Sequence, residues 1–76
     1  MDKINTLETI EECFTLFKDG EVYRSVIDNT EKVLIEKALK RSGGNQIIAA
    51  KILGLNRNTL RTKIRKLNVN MEQFRL

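Results

Sequence analysis

Apolar residues along this chain recur at spacings of three and four, the period of amphipathic α-helices, with polar breaks between the helical stretches. The first stretch ends near Lys18, where Asp19-Gly20 forms a stop signal. Its apolar stripe consists of Leu7, Ile10, Phe14 and Phe17. The stripe is larger than one partner helix in so small a domain needs, so we expect it to form a dimer interface with a second copy. The alternative is that it packs only on the next helix of the same chain.

A second, longer helix is predicted over about residues 21–42. Its apolar residues form two clusters, one on each side of the polar segment 28–31. Polar side chains such as that of Asn29 can bond to the local backbone and cap a new helix. The pattern leaves two possibilities open, a continuous helix or two shorter helices that meet at this segment.

Residues 44–66 have the pattern of a helix-turn-helix. Ala50 is followed by Gly54 four positions later and by Leu60 six positions after that. Two helices that cross at roughly 90–120° over a tight turn need a small side chain at the crossing. A glycine at the turn adopts positive φ without a Cβ penalty. Leu60 opens a stripe at helical spacing that holds the second helix on the core, and its other members are Ile64 and Leu67.

Asparagines occur where the two helices of this motif should begin. Asn45 follows a Gly-Gly break and Asn56 precedes a run of helix formers, so both are predicted N-caps. After the motif, Asn68 is expected to adopt a left-handed conformation that ends the last helix. We expect Val69 and Phe74 to fold back onto the edge of the core.

The composition favours an all-α fold. The chain has 76 residues, no proline and only three Phe and one Tyr as aromatics, which is untypical of a sandwich or barrel. We predict a single four-helix domain with dimerisation helices in residues 1–42, a helix-turn-helix in 43–67 and a tail in 68–76. No apolar run is long enough to span a membrane and no signal peptide is apparent, so we expect a cytoplasmic protein.

Charge divides the chain into two unlike halves. Residues 1–36 contain nine acidic and four basic side chains, a net charge of −5. Residues 37–76 contain ten basic side chains and one acidic one, a net charge of +9. A half-chain of one sign produces a long-range field, and a positive field indicates a polyanionic partner. A merely solvated basic face is the alternative, but the basic half coincides with the predicted helix-turn-helix.

The residue content argues against catalysis and metal binding. Cys13 is the only cysteine and histidine is absent, so neither a disulfide framework nor a Cys/His zinc site can form. The basic half lacks a carboxylate from Lys37 to Met71 that could act as a general base. We therefore expect no enzyme activity, cofactor, metal or small-molecule substrate.

The second helix of the motif turns its apolar stripe inward and its polar side chains outward. A helix-turn-helix places the start of this helix in the DNA major groove, where arginine can pair with guanine and asparagine with adenine. The predicted base-reading residues are Arg57, Asn58, Arg61 and Asn56. Hydroxyls, amides and cations suit phosphate oxygens. The predicted phosphate contacts are Asn45, Thr59, Thr62, Lys63, Arg65 and Lys66. The alternatives are that Asn58 only helps to cap the helix and that Arg65 is only solvated.

The segment from Ala38 to Leu67 resembles the C-terminal DNA-binding domain shared by Fis and the sigma-54-dependent activators of the NtrC type. The shared residues are Gly44-Asn45-Gln46, Ala49-Ala50, Leu53-Gly54, Arg57-Asn58-Thr59-Leu60 and Lys63. The resemblance implies a four-helix protomer whose first two helices form an intertwined dimer and whose last two helices contact DNA. By position, it implies DNA contacts from Asn45, Asn56, Arg57, Thr59, Arg61 and Lys63.

Some positions depart from the Fis pattern. Ile47 and Thr62 stand where Fis has a hydroxyl residue and a lysine, and Asn58 stands where Fis has glycine. The sequence around Asn58 is more similar to that of the activators, and the chain lacks room for the N-terminal β-hairpin arm of Fis. We therefore expect the terminal domain of a longer activator.

The leading hypothesis is a homodimer that binds double-stranded DNA at an inverted repeat, with half-sites about one helical turn, roughly 34 Å, apart. One alternative is a free-standing, Fis-like nucleoid protein that bends DNA. A third hypothesis, from a different class, is a dimerisation adaptor that binds no DNA. Charge reversal at Arg57 and Arg61 separates the third from the others, because an adaptor would be unaffected.

Overall fold

The computed structural model describes the backbone of residues 6–74 and the side chains of residues 9–74. Four α-helices occur in this range: α1 (Thr6–Leu16), α2 (Val22–Arg41), α3 (Gln46–Leu53) and α4 (Arg57–Lys66). A 3₁₀ turn, Met71–Phe74, follows α4. Because the described part of the chain contains helices and no strand, the predicted all-α fold with four helices is confirmed.

The long helix α2 passes through the polar segment 28–31 without a break. The Asn29 side chain donates a hydrogen bond to the Ser25 carbonyl, 2.7 Å away and one turn earlier, instead of capping a new helix. Of the two possibilities left open by the sequence, the continuous helix is the one that forms. It joins the two halves of the protomer, because α1 packs on it as well as α3 and α4.

The buried core of the described residues lies between Ile35 and Val69. It consists of Ile35, Ala38, Leu39, Ala49, Ala50, Leu60, Ile64 and Val69. Leu39, Ala49 and Leu60 have no exposed surface. The core therefore joins the C-terminal half of α2 to α3, α4 and the tail, and none of the described α1 side chains enters it.

The turn between α3 and α4 has the geometry that the sequence predicts. Gly54 has φ 74° and ψ 28°, in the left-handed region. The Leu55 amide donates to the Ala50 carbonyl at 2.9 Å, which closes the end of α3 with a six-to-one bond of the Schellman type. Ala50, only 3% exposed, lies among the buried residues that pack α3 on its neighbours. These features fix the direction in which α4 leaves the turn.

The tail folds back over the core as expected. Asn68 has φ 57°, and the following Val69 amide donates to the Ile64 carbonyl at 3.0 Å. Val69 is 8% exposed, and Phe74 packs against the core. The Phe74 carbonyl lies so close to Gly44 that a Cβ added there would be 3.2 Å from its oxygen. The tail thus covers the turn that connects α2 to α3.

Large apolar side chains remain exposed on α1 and the start of α2. Phe14 is 64% exposed and Tyr23 is 80% exposed. A shallow apolar groove, which we call the α1–α2 groove, is lined by Ile10, Phe14, Val22, Tyr23, Val26 and Ile27. Phe17 is half-buried, whereas the Leu7 side chain lies outside the described residues. In the part of the chain described, no helix is long and apolar enough to cross a membrane.

Candidate nucleic-acid interface

Helix α4 presents two chemically different faces. Its inner face is fixed by Leu60 and Ile64, which are 0% and 9% exposed. The side chains on the opposite side are exposed and polar. We call this side the outer face of α4, and it consists of Asn58, Arg61, Thr62, Arg65 and Lys66. The buried stripe thus determines which side chains of α4 can meet a partner.

The predicted base-reading residues cluster at the start of α4. Arg57, Asn58 and Arg61 are all exposed, and within residues 9–74 their side chains make no hydrogen bond or ion pair. Asn56 differs, because its side-chain oxygen accepts the Asn58 amide at 2.7 Å and caps α4. The Asn56 cap is confirmed, and its NH₂ group is left to donate outward. Two guanidinium groups and one amide therefore extend from the first turns of the helix.

The predicted phosphate contacts on α4 have unequal surroundings. Thr59, Arg65 and Lys66 are exposed. Thr62 is exposed as well, but its hydroxyl donates to the Asn58 carbonyl at 3.0 Å, one turn back in the same helix. That hydroxyl must rotate to donate to a phosphate oxygen, whereas the cations need no such change.

Asn45 lies at the start of α3, as predicted. Its side-chain oxygen accepts the Ile48 amide at 3.1 Å, so the predicted N-cap is confirmed. The residue is exposed and its NH₂ group has no partner among the described residues. The neighbouring Ile47, 48% exposed, offers no hydrogen-bond donor from its side chain.

Lys63 is the one predicted contact that the structure places against an acid. Its ammonium lies 2.5 Å from a carboxylate oxygen of Glu31 on α2, and the two side chains are 31% and 29% exposed. The sequence-based prediction assigned Lys63 to phosphate and gave Glu31 no role at the site. One signal was present: Lys63 is three residues after Leu60, so it lies beside the buried stripe rather than opposite it.

All the charged side chains of α3 and α4 are basic. Helix α4 contains five basic side chains among ten residues, and neither helix contains an acid. Cations in the last turn also complement the negative end of the helix dipole. Glu31 pairs with Lys63, and Asp28 and Glu31 border the groove that Lys66 lines, so the positive field of α4 is partly neutralised on the flank that faces α2.

Two short helices that meet at a left-handed glycine, with a buried stripe on one side of the second and exposed cations on the other, define a helix-turn-helix protein. Comparison with protein families agrees with this class. The chain belongs to the Fis family of bacterial regulatory proteins, whose family model matches residues 26–67. The match covers α2 from Val26 onward and the whole helix-turn-helix, which confirms the predicted family.

Curated relatives match over most of the chain. The DNA-binding transcriptional regulator NtrC of Azospirillum brasilense is 44% identical over 66 residues, 82% of this chain and 14% of that protein. NtrC of Rhizobium meliloti (strain 1021) is 46% identical over 68 residues, 84% of this chain and 14% of that protein. A Bradyrhizobium NtrC is 48% identical over 50 residues, 66% of this chain and 10% of that protein. The chain thus spans about a seventh or less of the length of these relatives. No solved structure gives a significant match.

Proposed function

We propose that this protein is a sequence-specific DNA-binding domain of a bacterial transcriptional activator and acts as a homodimer. The observation that carries the proposal is the cluster of exposed, unpaired Arg57, Asn58 and Arg61 at the start of α4. The N-terminal part of the second helix is the part that meets base edges when a helix-turn-helix enters the major groove. No catalytic role is proposed.

The proposed contacts follow from the direction of each side chain. Arg57 and Arg61 can each donate two hydrogen bonds to guanine, and Asn58 can pair with adenine, at about 1–3 kcal/mol of discrimination per good pair. Asn56 adds its free NH₂ group at the edge of this cluster. Exposed groups that suit phosphate oxygens hold the helix in register without reading sequence. These are Asn45, Thr59, Thr62, Arg65 and Lys66.

The homodimer is supported by the α1–α2 groove. Phe14 and Tyr23 are mostly exposed in the protomer, and exposed contiguous apolar side chains mark interaction surfaces. A second copy is the simplest partner, because a two-fold symmetric dimer buries the same groove on both protomers. Such a dimer presents two α4 helices and fits an inverted repeat with half-sites about 34 Å apart, or closer if the DNA bends.

The activator assignment is supported by the relatives. The three matched proteins bear the name DNA-binding transcriptional regulator NtrC, and this chain aligns with a small part of each. We propose by analogy that the chain serves an NtrC-type, sigma-54-dependent activator in the cytoplasm, at an enhancer site. A Fis-like protein that bends DNA without strong sequence preference is the alternative outcome of the experiment below.

The test is selection of bound duplexes from a random-sequence pool at about physiological salt, followed by sequencing. We expect a dyad-symmetric motif with guanine at fixed places in each half-site. Arg57→Gln should weaken binding to the selected site by about 1–3 kcal/mol and relax preference at one base pair of each half-site. Lys18→Gln is the matched control, because it removes one exposed cation from the connection between α1 and α2, outside the helix-turn-helix.

Each outcome separates the candidates. Retention of DNA without enrichment would favour the nucleoid-type protein over the specific activator. A protein that retains no DNA at any salt concentration would be an adaptor, and the proposal would be wrong. Equal effects of Arg57→Gln and Lys18→Gln would show that binding depends on net charge alone.

A further inference from the structure

The ion pair between Glu31 and Lys63 connects the long helix α2 to the DNA-facing helix α4. The Lys63 ammonium and the Glu31 carboxylate are 2.5 Å apart, and each side chain is less than one-third exposed. Both residues also line a cleft between the helices, with Leu34, Ile35, Leu53 and Leu55. The aliphatic part of Lys63 thus lies along apolar side chains while its charge meets the acid.

The direction of Lys63 differs from that of the other α4 cations. Arg61 and Arg65 are exposed and make no ion pair with any described residue. Lys63 lies on the flank of α4 that faces α2, beside the buried Leu60. The Glu31 carboxylate compensates the charge of the Lys63 ammonium, so a phosphate gains less from Lys63 than from an unpaired cation while this ion pair is in place. The ion pair thus distinguishes Lys63 from Arg61 and Arg65, although Lys63 also borders a shallow hollow with Asn58, Thr62 and Lys66.

We propose that Glu31 is a positioning residue for DNA binding: it holds Lys63 on the α2 side of α4, so that Lys63 ties the two helices together and makes no phosphate contact. This inference rests on the proposed function, since it concerns how the same surface contacts DNA. It also revises the prediction from sequence and resemblance, in which Lys63 contacts phosphate. The number of phosphates that α4 neutralises is then set in part by a residue on α2.

Salt dependence of DNA affinity measures this number directly. The logarithm of the binding constant falls with the logarithm of salt concentration, with a slope of about −0.9 for each phosphate neutralised. If Glu31 withholds Lys63, its removal frees one cation in each protomer. Glu31→Gln should therefore make the slope steeper by up to about 0.9 per protomer. Affinity at low salt should rise as well.

The decisive variant is the double substitution Glu31→Gln with Lys63→Gln, because it has the same net charge as the unmodified protein. We expect its salt slope to equal that of the unmodified protein. Arg65→Gln is the matched comparison from the outer face of α4, and its slope should be shallower by about 0.9 per protomer. Thermal unfolding followed by circular dichroism identifies any variant that fails to fold, and Lys63→Met then replaces Lys63→Gln in the double variant.

Two results would overturn the inference. A double variant whose slope is shallower by about 0.9 per protomer would show that Lys63 contacts phosphate despite Glu31. A Glu31→Gln slope equal to that of the unmodified protein would show that Glu31 does not withhold Lys63. Neither result would contradict the proposed function. That function is contradicted by a different result, an unmodified protein that binds no DNA. A Glu31 that affects only stability would give the second of these results, because the Glu31→Gln slope would not change.

Discussion

The two halves of the protomer use apolar residues in opposite ways. In the C-terminal half, Leu39, Ala49 and Leu60 are completely buried, and the tail closes over the remaining edge of the core. In the N-terminal half, Phe14 and Tyr23 are mostly exposed, and α1 has no described side chain in the core. The C-terminal half forms the buried core, with only part of its apolar surface left exposed on α3, whereas the N-terminal half leaves its large aromatic side chains available to a partner.

The N-terminal capping of the helices also differs between the two halves. Asn45 and Asn56 each accept a backbone amide at the start of α3 and α4. Glu21 precedes α2 and makes no capping hydrogen bond from its side chain. The helix-turn-helix is therefore specified by local signals as well as by its core. The N-terminal helices depend more on packing, in which a second copy has a part under the proposed function.

The largest effect should come from a charge placed in the α1–α2 groove. Phe14→Asp should convert the proposed dimer to a monomer, because each of the two copies loses about 1.5–3 kcal/mol of apolar burial. The dissociation constant of the dimer should rise about a hundredfold or more, as measured by sedimentation equilibrium.

Thr15→Asp is the control for this change, since it adds the same charge at an exposed neighbouring position. Equal dissociation constants for the Phe14→Asp and Thr15→Asp variants would contradict the assignment of a dimer interface to the N-terminal half. An unmodified protein that is monomeric at all concentrations would contradict the same assignment.

A smaller but still large effect is expected in the core. Leu60→Ala should lower the free energy of unfolding by about 2–5 kcal/mol, because the side chain is fully buried and leaves a cavity. Urea denaturation measures the change. Leu16→Ala is the matched substitution in the other half, where the side chain is 73% exposed. Its cost should be within about 0.5 kcal/mol, and an equal loss from both variants would contradict the assignment of the core to one half.

The smallest effect concerns the caps. Asn45→Ala should lower stability by about 1 kcal/mol, because the Ile48 amide loses its acceptor. Glu21→Ala at the corresponding position of α2 removes no capping bond and should cost less. Urea denaturation of the two variants at one protein concentration measures both losses of unfolding free energy. A larger loss from Glu21→Ala than from Asn45→Ala would contradict the prediction.

The sequence predicted the helix-turn-helix well because its signals are local. Caps, a left-handed glycine and a stripe at helical spacing each act within a few residues, and all appear at the predicted positions. The polar segment 28–31 was ambiguous, since the same side chains can cap a helix or bond within one. Only the bond from Asn29 to Ser25 in the folded chain decides between these possibilities.

The features that the sequence did not reveal depend on distant contacts. Glu31 and Lys63 are 32 positions apart, and no periodic pattern links them. The larger side chains of α3 are another case: the small residue at the crossing, Ala50, was predicted, but the half-exposed positions of Ile47 and Ile52 were not. Close packing of α3 on its neighbours leaves room only for methyl groups, so the larger side chains face away.

The uneven distribution of charge along the chain has a further effect before any contact forms. Residues 1–36 have a net charge of −5 and residues 37–76 one of +9, so the protomer has a large electric dipole moment. In the field of a polyanion, such a dipole experiences a torque that turns the basic end toward the duplex. This orientation acts over about the Debye length, roughly 8 Å at physiological salt. The proposed DNA-binding surface should therefore face the duplex during the final approach, and the association rate should fall as added salt shortens that distance.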